Sequence, residues 1–318
     1  MEYINNLTVE GFKGGHVQGI AIDKSREYMY FSFTTCLVKT DMKGNIIGTV
    51  EGLVGHLGCI AYNYDDGKVY GSLEFKNDCI GAGILAGLGL ETKPEEGFYM
   101  TIFDVDKINC PGMDAEKDGV MKAVYLKEVC DDYLADGHRY GCSGIDGTTF
   151  APDPGNLHGK MYLHVAYGIY GDVNRDDNDN QIILKYDVGN WDKYAKPLNQ
   201  NAMHKSGPEK PDYKYFVYTG NTVYGIQNLE YDPYTDTMFA AVYRGEKPQF
   251  PNYTMFHINW SSDKKNIPGS FFPYGATGMI SLGDGYFYFS RDFKNEKGYG
   301  TNVQLYKYEN GNFTEVLQ

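Results

Sequence analysis

Two histidines, two carboxylates and two glutamines recur at matching places in this chain, and those residue types could hold a metal or move a proton. His16 and His56 each open a short segment of the same pattern, 15–23 and 56–62. Altered copies follow at 144–150, 225–231 and 276–282. The third copy carries Asp146 and the fourth carries Gln227 and Asn228. Imidazoles and a carboxylate around one axis suit a divalent cation, so His16, His56 and Asp146 are the candidate metal set for calcium or a transition metal. Glu74, at the end of a neighbouring segment, and Asp146 could instead act as acid and base.

A wider polar set surrounds them. Gln18, Gln227 and Asn228 lie in the repeated segments, and Tyr167, Arg244, Arg291 and Asp292 end the segments that follow. His138, with Arg139 and Tyr140, precedes the third copy. The arginines could grip a carboxylate or phosphate bidentately. Two stretches stand apart. Residues 172–180 alternate oxygen side chains like the start of a calcium loop, but the sixth position is Asp177 and the twelfth is Ile183. That excludes an EF-hand and leaves a looser calcium site or a solvated turn. Residues 80–90 are apolar and glycine-rich, and no strand–turn–helix frame for a dinucleotide loop surrounds them. They read as an exposed flap or contact surface.

The elements that must position these residues are strands. After each repeated segment comes a turn and a second run of aromatic and β-branched residues, such as 28–33, 68–73, 161–167, 238–243 and 286–290. Third and fourth runs follow; those closing the units are 46–52, 122–129, 214–219, 270–274 and 313–317. Helical periodicity is almost absent. Four strands repeated five times predict an all-β fold, a five-bladed β-propeller of four-stranded antiparallel blades, as one domain over 1–318. The run at 7–12 predicts a strand that pairs with the last unit and ties the ring shut. Chain direction alternates within a blade. The starts of first strands, the ends of second strands and the long loops that follow therefore share one face, where a site belongs.

Composition bounds the function. A net charge of −13 argues against nucleic acid and against an anionic membrane surface. No apolar run is long enough to span a membrane, and no basic, then apolar, leader is visible. A complete chain would then be cytoplasmic; removal of a leader would make it extracytoplasmic. The six cysteines lack a Cys-x-x-Cys pair and read as free, mostly buried thiols. Motifs of common serine hydrolases, zincins and P-loop enzymes are missing.

On its five related segments and the strands after them, the chain resembles five-bladed propeller proteins, a group that includes calcium-dependent apyrases, arabinanase-type glycosidases and tachylectin-type lectins. The resemblance is architectural. It implies a central site, with Gln18, Asp146 and Gln227 at places comparable to those that surround the apyrase calcium. The first expectation is a protein that binds a small polar molecule or divalent metal at the mouth of its central channel, as a hydrolase or lyase. A non-catalytic module for a glycan or peptide, and a structural scaffold, stand beside it. The sequence leaves the oligomeric state open.

Overall fold

Short apolar runs punctuated by Gly, Asp and Asn turns form strands along almost the whole chain. The computed structural model describes residues 3–91, 93–265 and 267–317. β1 (Asn6–Phe12) precedes the first blade, which contains β2 (Val17–Ile22), β3 (Tyr28–Phe33), β4 (Cys36–Asp41) and β5 (Ile46–Glu51). The second blade takes β6 (His56–Asn63), β7 (Lys68–Phe75) and, beyond helix α1 (Cys79–Leu88), β8 (Gly97–Phe103). β9 (Met113–Asp114) then returns to lie parallel to β5, and β10 (Met121–Tyr125) completes the second blade before α2 (Lys127–Leu134). The third blade is β11 (Cys142–Pro152), β12 (Met161–Ile169), β13 (Asn180–Tyr186) and β14 (Tyr213–Tyr218). The fourth is β15 (Val223–Asp232), β16 (Thr237–Tyr243), β17 (Met255–Asn259) and β18 (Gly269–Ser270). β19 (Met279–Ser281), β20 (Tyr286–Asn295), β21 (Gly298–Glu309) and β22 (Asn312–Glu315) form the fifth.

The chain is a five-bladed β-propeller. The inner strands β2, β6, β11, β15 and β19 pack in a ring, each against the next and β19 against β2. Because they are covered on both faces, their side chains do not alternate between buried and exposed; β2 and β11 are buried throughout. Apolar clusters fill the spaces between blades, including a group of Phe239, Phe287, Phe289 and Met255 between the fourth and fifth.

The ring closes on one long strand. β21 pairs with β1 from Asn6↔Gln304 to Phe12↔Tyr299, and with β22 from Tyr306↔Glu315 to Glu309↔Asn312. The two short strands divide the outer edge of β21 between them. This is how the expected N-terminal strand joins a blade that already has a fourth strand.

Several segments differ from the sequence reading. The fourth strand expected at 270–274 is only Gly269–Ser270, and the inner segment 276–282 is a strand only over Met279–Ser281. The fourth strand expected at 122–129 stops at Tyr125, and α2 follows. Val124 and Leu126 continue a strand-like alternation, but the buried Val129, Cys130 and Tyr133 are spaced for one helix face. The glycine-rich stretch, expected as an exposed flap or contact surface, forms the mostly exposed helix α1. The Asp78 side chain caps it by accepting from Ile80 N and Gly81 N, and Gly89 ends it in the left-handed conformation, at φ 70°. Only Leu85 is buried, so no apolar stripe announces the helix. Among the described residues no helix is long and apolar enough to cross a membrane.

The closing strand tests the architecture. Leu7 is buried between β1 and the rest of the ring, so Leu7→Ala is expected to lower the unfolding free energy by about 2–4 kcal/mol in urea titration. A change below about 0.5 kcal/mol, the size usual for surface sites, would show that the ring is held without β1.

Candidate functional site

Each of β2, β6, β11 and β15 carries an irregularity of register near the axis, where two residues face one on the second strand. The residues there are Gln18-Gly19, Gly58-Cys59, Asp146-Gly147 and Gln227-Asn228. The bulge re-aims the first of each pair, so the matching positions Gln18, Asp146 and Gln227 line one cavity. Gly58 has no side chain to contribute, and the Asp146 carboxylate takes its place: a Cβ on Gly58 would lie 2.1 Å from Asp146 Oδ1. That oxygen accepts from Cys59 N at 3.1 Å. Glu74 repeats the arrangement one level higher. A Cβ on Gly144 would lie 2.1 Å from its Oε2, which accepts from Ile145 N at 3.1 Å. Each acid thus reaches across to a neighbouring inner strand at a glycine, where it finds both space and a backbone donor.

His16, Gln18, His56, Glu74, Asp146 and Gln227 all border this cavity of about 210 Å3. Lys76, Ser143, Tyr224 and Tyr243 join them. Lys76 Nζ lies 2.6 Å from Glu74 Oε1 and donates to the Ser143 carbonyl at 3.0 Å. Its other carboxylate neighbour is Asp78, at 3.7 Å, the residue that caps α1. His56 Nδ1 stands 3.5 Å from Glu74 Oε1, an ion-pair distance that is long for a hydrogen bond. Gln18 Nε2, as placed, donates to His16 Nε2 at 3.2 Å, and His16 Nδ1 faces the Val17 carbonyl at 3.0 Å. Those contacts suit a neutral His16 with its proton on Nδ1. Tyr224 holds a left-handed backbone at φ 63°, which presents its carbonyl to Gln227 Nε2 at 2.9 Å.

The groups titrate in opposite directions. Burial lowers the pKa of His16, and the charge of His56 adds to this against the pull of Asp292. Burial also works against charge on His56, but Glu74 and Asp146 outweigh it and raise its pKa. Burial would raise Glu74, yet Lys76 and His56 hold it below the usual carboxylate range. Asp146 has no ammonium of its own, and burial pushes it up to about 7 despite His56. Near neutral pH the cavity holds an ionised Glu74–Lys76 pair, a charged or readily charged His56, a neutral His16 and an Asp146 close to its midpoint.

The rest of the expected set lies elsewhere, for reasons of register. By strand pairing, Glu74 is equivalent to Thr34, Gly168, Tyr243 and Asp292. Tyr167 and Arg291 come one residue earlier and point to the other side. Tyr167 is buried in the blade and donates to Asp132 at 2.8 Å. Arg291 pairs with Glu315 at 2.6 Å and packs on the ring of Tyr274. Arg244, one residue too late, is exposed and rests over Phe271. Asp292 has the right register and is exposed. Asn228 ties strands together, donating to the Gln18 and Ala276 carbonyls at 2.7 and 3.0 Å. His138 packs between Tyr133 and Tyr170, with Nδ1 2.6 Å from the Tyr133 carbonyl.

His16, His56 and Asp146 border one cavity, but among the described residues no three His, Cys, Asp or Glu side chains are grouped as a metal site. Asp146 is turned onto Cys59 N, and the cation beside Glu74 is Lys76. The acidic loop 172–180 also has a cation from the chain: Lys247 Nζ meets Asp179 Oδ1 at 2.5 Å, Asn178 Oδ1 at 2.8 Å and the Arg175 carbonyl. All six cysteines are free, with Cys36, Cys59, Cys130 and Cys142 buried.

Lys76, Ser143, Tyr224 and Tyr243 were not among the expected residues. Lys76 follows Glu74 by two positions, so an extended chain puts both on one side; that spacing was the available signal. Tyr243 stands in the register of Glu74, which becomes visible only once the bulges are counted.

No protein-family model and no curated protein sequence matches the chain. Among solved structures, it is similar to the soluble aldose sugar dehydrogenase of Escherichia coli in its apo-form, with 11% identity, a TM-score of 0.44, and 94% of this chain and 99% of that one covered. A functionally unknown protein from Desulfotomaculum acetoxidans is similar at 11% identity and a TM-score of 0.41, over 96% of this chain and 70% of that one.

Two measurements check the electrostatics and the packing. Because the folded pKa of Asp146 lies above its ordinary value of 3.8, its contribution to stability is full below about pH 4 and is lost as pH rises toward about 7. Asp146→Asn removes that dependence. The melting temperature of the variant relative to wild type is therefore expected to climb between pH 4 and 7 and to level off above. A flat difference would mean that Asp146 titrates like an exposed carboxylate. Gly58→Ala is expected to cost about 1–3 kcal/mol as an overpacking change. It should cost less in an Asp146→Ala background, since the carboxylate is the nearest group it meets; Ser72 Oγ, next at 2.5 Å, remains.

Proposed function

We propose that the chain binds a small polar molecule in the axial cavity and acts on it by acid–base chemistry, as a hydrolase or lyase. The observation that supports this is the convergence of Asp146, His56, Glu74 and Lys76 on one cavity of about 210 Å3. That volume is below the roughly 300–1,000 Å3 of pockets for drug-sized ligands, so the molecule is small.

In this reading Asp146 exchanges the proton. Its pKa of about 7 leaves both forms populated near neutrality, which is the condition for efficient transfer in either direction. His56 carries positive charge beside it and stabilises negative charge that develops on the substrate. Glu74 keeps His56 in place and charged, and Lys76 keeps Glu74 ionised. His16, neutral and bonded to Gln18, supplies polar contacts at the rim together with Gln227.

A thermal-shift panel of small hydroxy acids, keto acids and polyols, followed by turnover assays on the compounds that bind, tests the reading. At least one compound should stabilise the wild type and be converted, with one limb of the pH–rate profile near 7. Asp146→Asn should still bind it but turn it over at least 100-fold more slowly, the lower end of what a positioned acid or base contributes. Binding without turnover in the wild type would make the chain a binding module. Stabilisation unchanged in a His16→Ala/His56→Ala double variant would remove this cavity as the site.

A further inference from the structure

The opposite end of the channel holds a second cavity, of about 260 Å3, to which all five inner strands contribute. Ile22, Tyr62, Phe150 and Tyr231 come from the far ends of those strands, Leu282 follows β19, and Tyr64 borders it from the turn after β6. The lining is largely apolar and aromatic; beside Arg26, Thr149 and Ser281 it carries one carboxylate, Glu230. By strand pairing, Glu230 occupies the position held in the other blades by Ala21, Ala61, Thr149 and Ile280. A carboxyl group therefore stands where its equivalents are small or apolar.

Glu230 is only partly provided for. Oε1 accepts from Ser281 N at 2.9 Å, and Oε2 meets Thr149 Oγ1 at a long 3.4 Å. No lysine, arginine or histidine forms an ion pair with it among the described residues. Arg26 also borders the cavity, but its guanidinium is directed to the Leu282 carbonyl at 2.5 Å and the Tyr3 hydroxyl at 3.2 Å. Burial, with Asp232 adding to it, pushes the Glu230 carboxyl up to about 8. A carboxyl kept from ionising by the lack of a partner is a place where an incoming positive charge gains most.

We infer that this second cavity is a binding site for an organic ammonium ion, with Glu230 as its counter-charge and Tyr62, Tyr64 and Tyr231 as its aromatic walls. The walls decide between kinds of cation. A metal ion wants several oxygen ligands, and Glu230 is the one carboxylate in the lining. An alkylated ammonium instead takes its stabilisation from aromatic faces and one counter-ion, which is what the cavity offers. Its volume admits a small amine and not a peptide or polymer chain. The site is separate from the acid–base cavity at the other mouth and does not depend on its reading.

Choline and its neutral isostere 3,3-dimethylbutan-1-ol are suitable probes, followed by isothermal titration calorimetry at constant ionic strength on the full chain. Choline should bind, and the isostere should bind at least tenfold more weakly or not at all. Glu230→Gln keeps the shape and an oxygen that accepts from Ser281 N while removing the charge, and is expected to weaken choline at least tenfold. Tyr64→Leu, at a half-exposed wall residue, should weaken it several-fold without disturbing the fold. Equal binding of choline and the isostere would overturn the inference, as would no binding of either. So would calcium or magnesium chloride competing for Glu230 more strongly than choline, or glucose binding where choline does not.

Discussion

Crowding at the channel axis is the constraint on which the rest depends. Five inner strands cannot meet in a ring and all keep side chains pointing inward. A Cβ on Gly19 would lie 2.8 Å from Ile60 N, well inside contact distance. The chain meets the constraint with glycines and register irregularities, and these create the site. Gly58 yields its space to Asp146, and Gly144 yields its space to Glu74. The two carboxylates are buried because a neighbouring strand lacks a side chain, and they are tolerated because that same strand offers a backbone N–H. Steric need at the axis and the chemistry of the cavity have one cause.

Unequal pairing then separates the roles of the two acids. Glu74 shares its immediate surroundings with Lys76 and stays ionised, while Asp146 shares its own with only His56 and a backbone amide. Two carboxyl groups bordering one cavity so differ in acidity through the position of one ammonium. Lys76 is in turn tied through Asp78 to the start of α1. Ile80, on the first turn of that helix, borders the cavity, so the helix and the charge arrangement are mechanically connected.

How much of this was legible in the sequence depends on what repeats. The fold was legible because the inner-strand pattern recurs, and His16, Gln18, His56, Asp146 and Gln227 could be placed together from that recurrence alone. Tyr167 and Arg291 could not be placed correctly, since strand pairing puts each of them one residue before the position equivalent to Glu74, which turns the side chain to the other side. Lys76 lies just beyond the end of β7, where a repeat-based reading stops. α1 escaped because a largely exposed helix needs no apolar face, although Asp78 and Gly89 marked its two ends. The carboxyl of Glu230 was in view but had no visible meaning until the strands showed that its equivalents are small or apolar.

The division of β21 between β1 and β22 also bears on how the ring assembles. Thr8 and Asn302 share a side-chain hydrogen bond across 294 residues of chain. On a ribosome, β1 emerges before the other strands of the ring and finds no partner until β21 has been made. Blades one to four can each condense from neighbouring segments, but the fifth must recruit a strand that has waited throughout synthesis. Long-range pairing of this kind slows folding and leaves an unpaired edge open to wrong partners in the meantime. The last hydrogen bonds of the ring to form are then those that join its first strand to β21, and a chaperone that shields this one short segment would protect the whole ring.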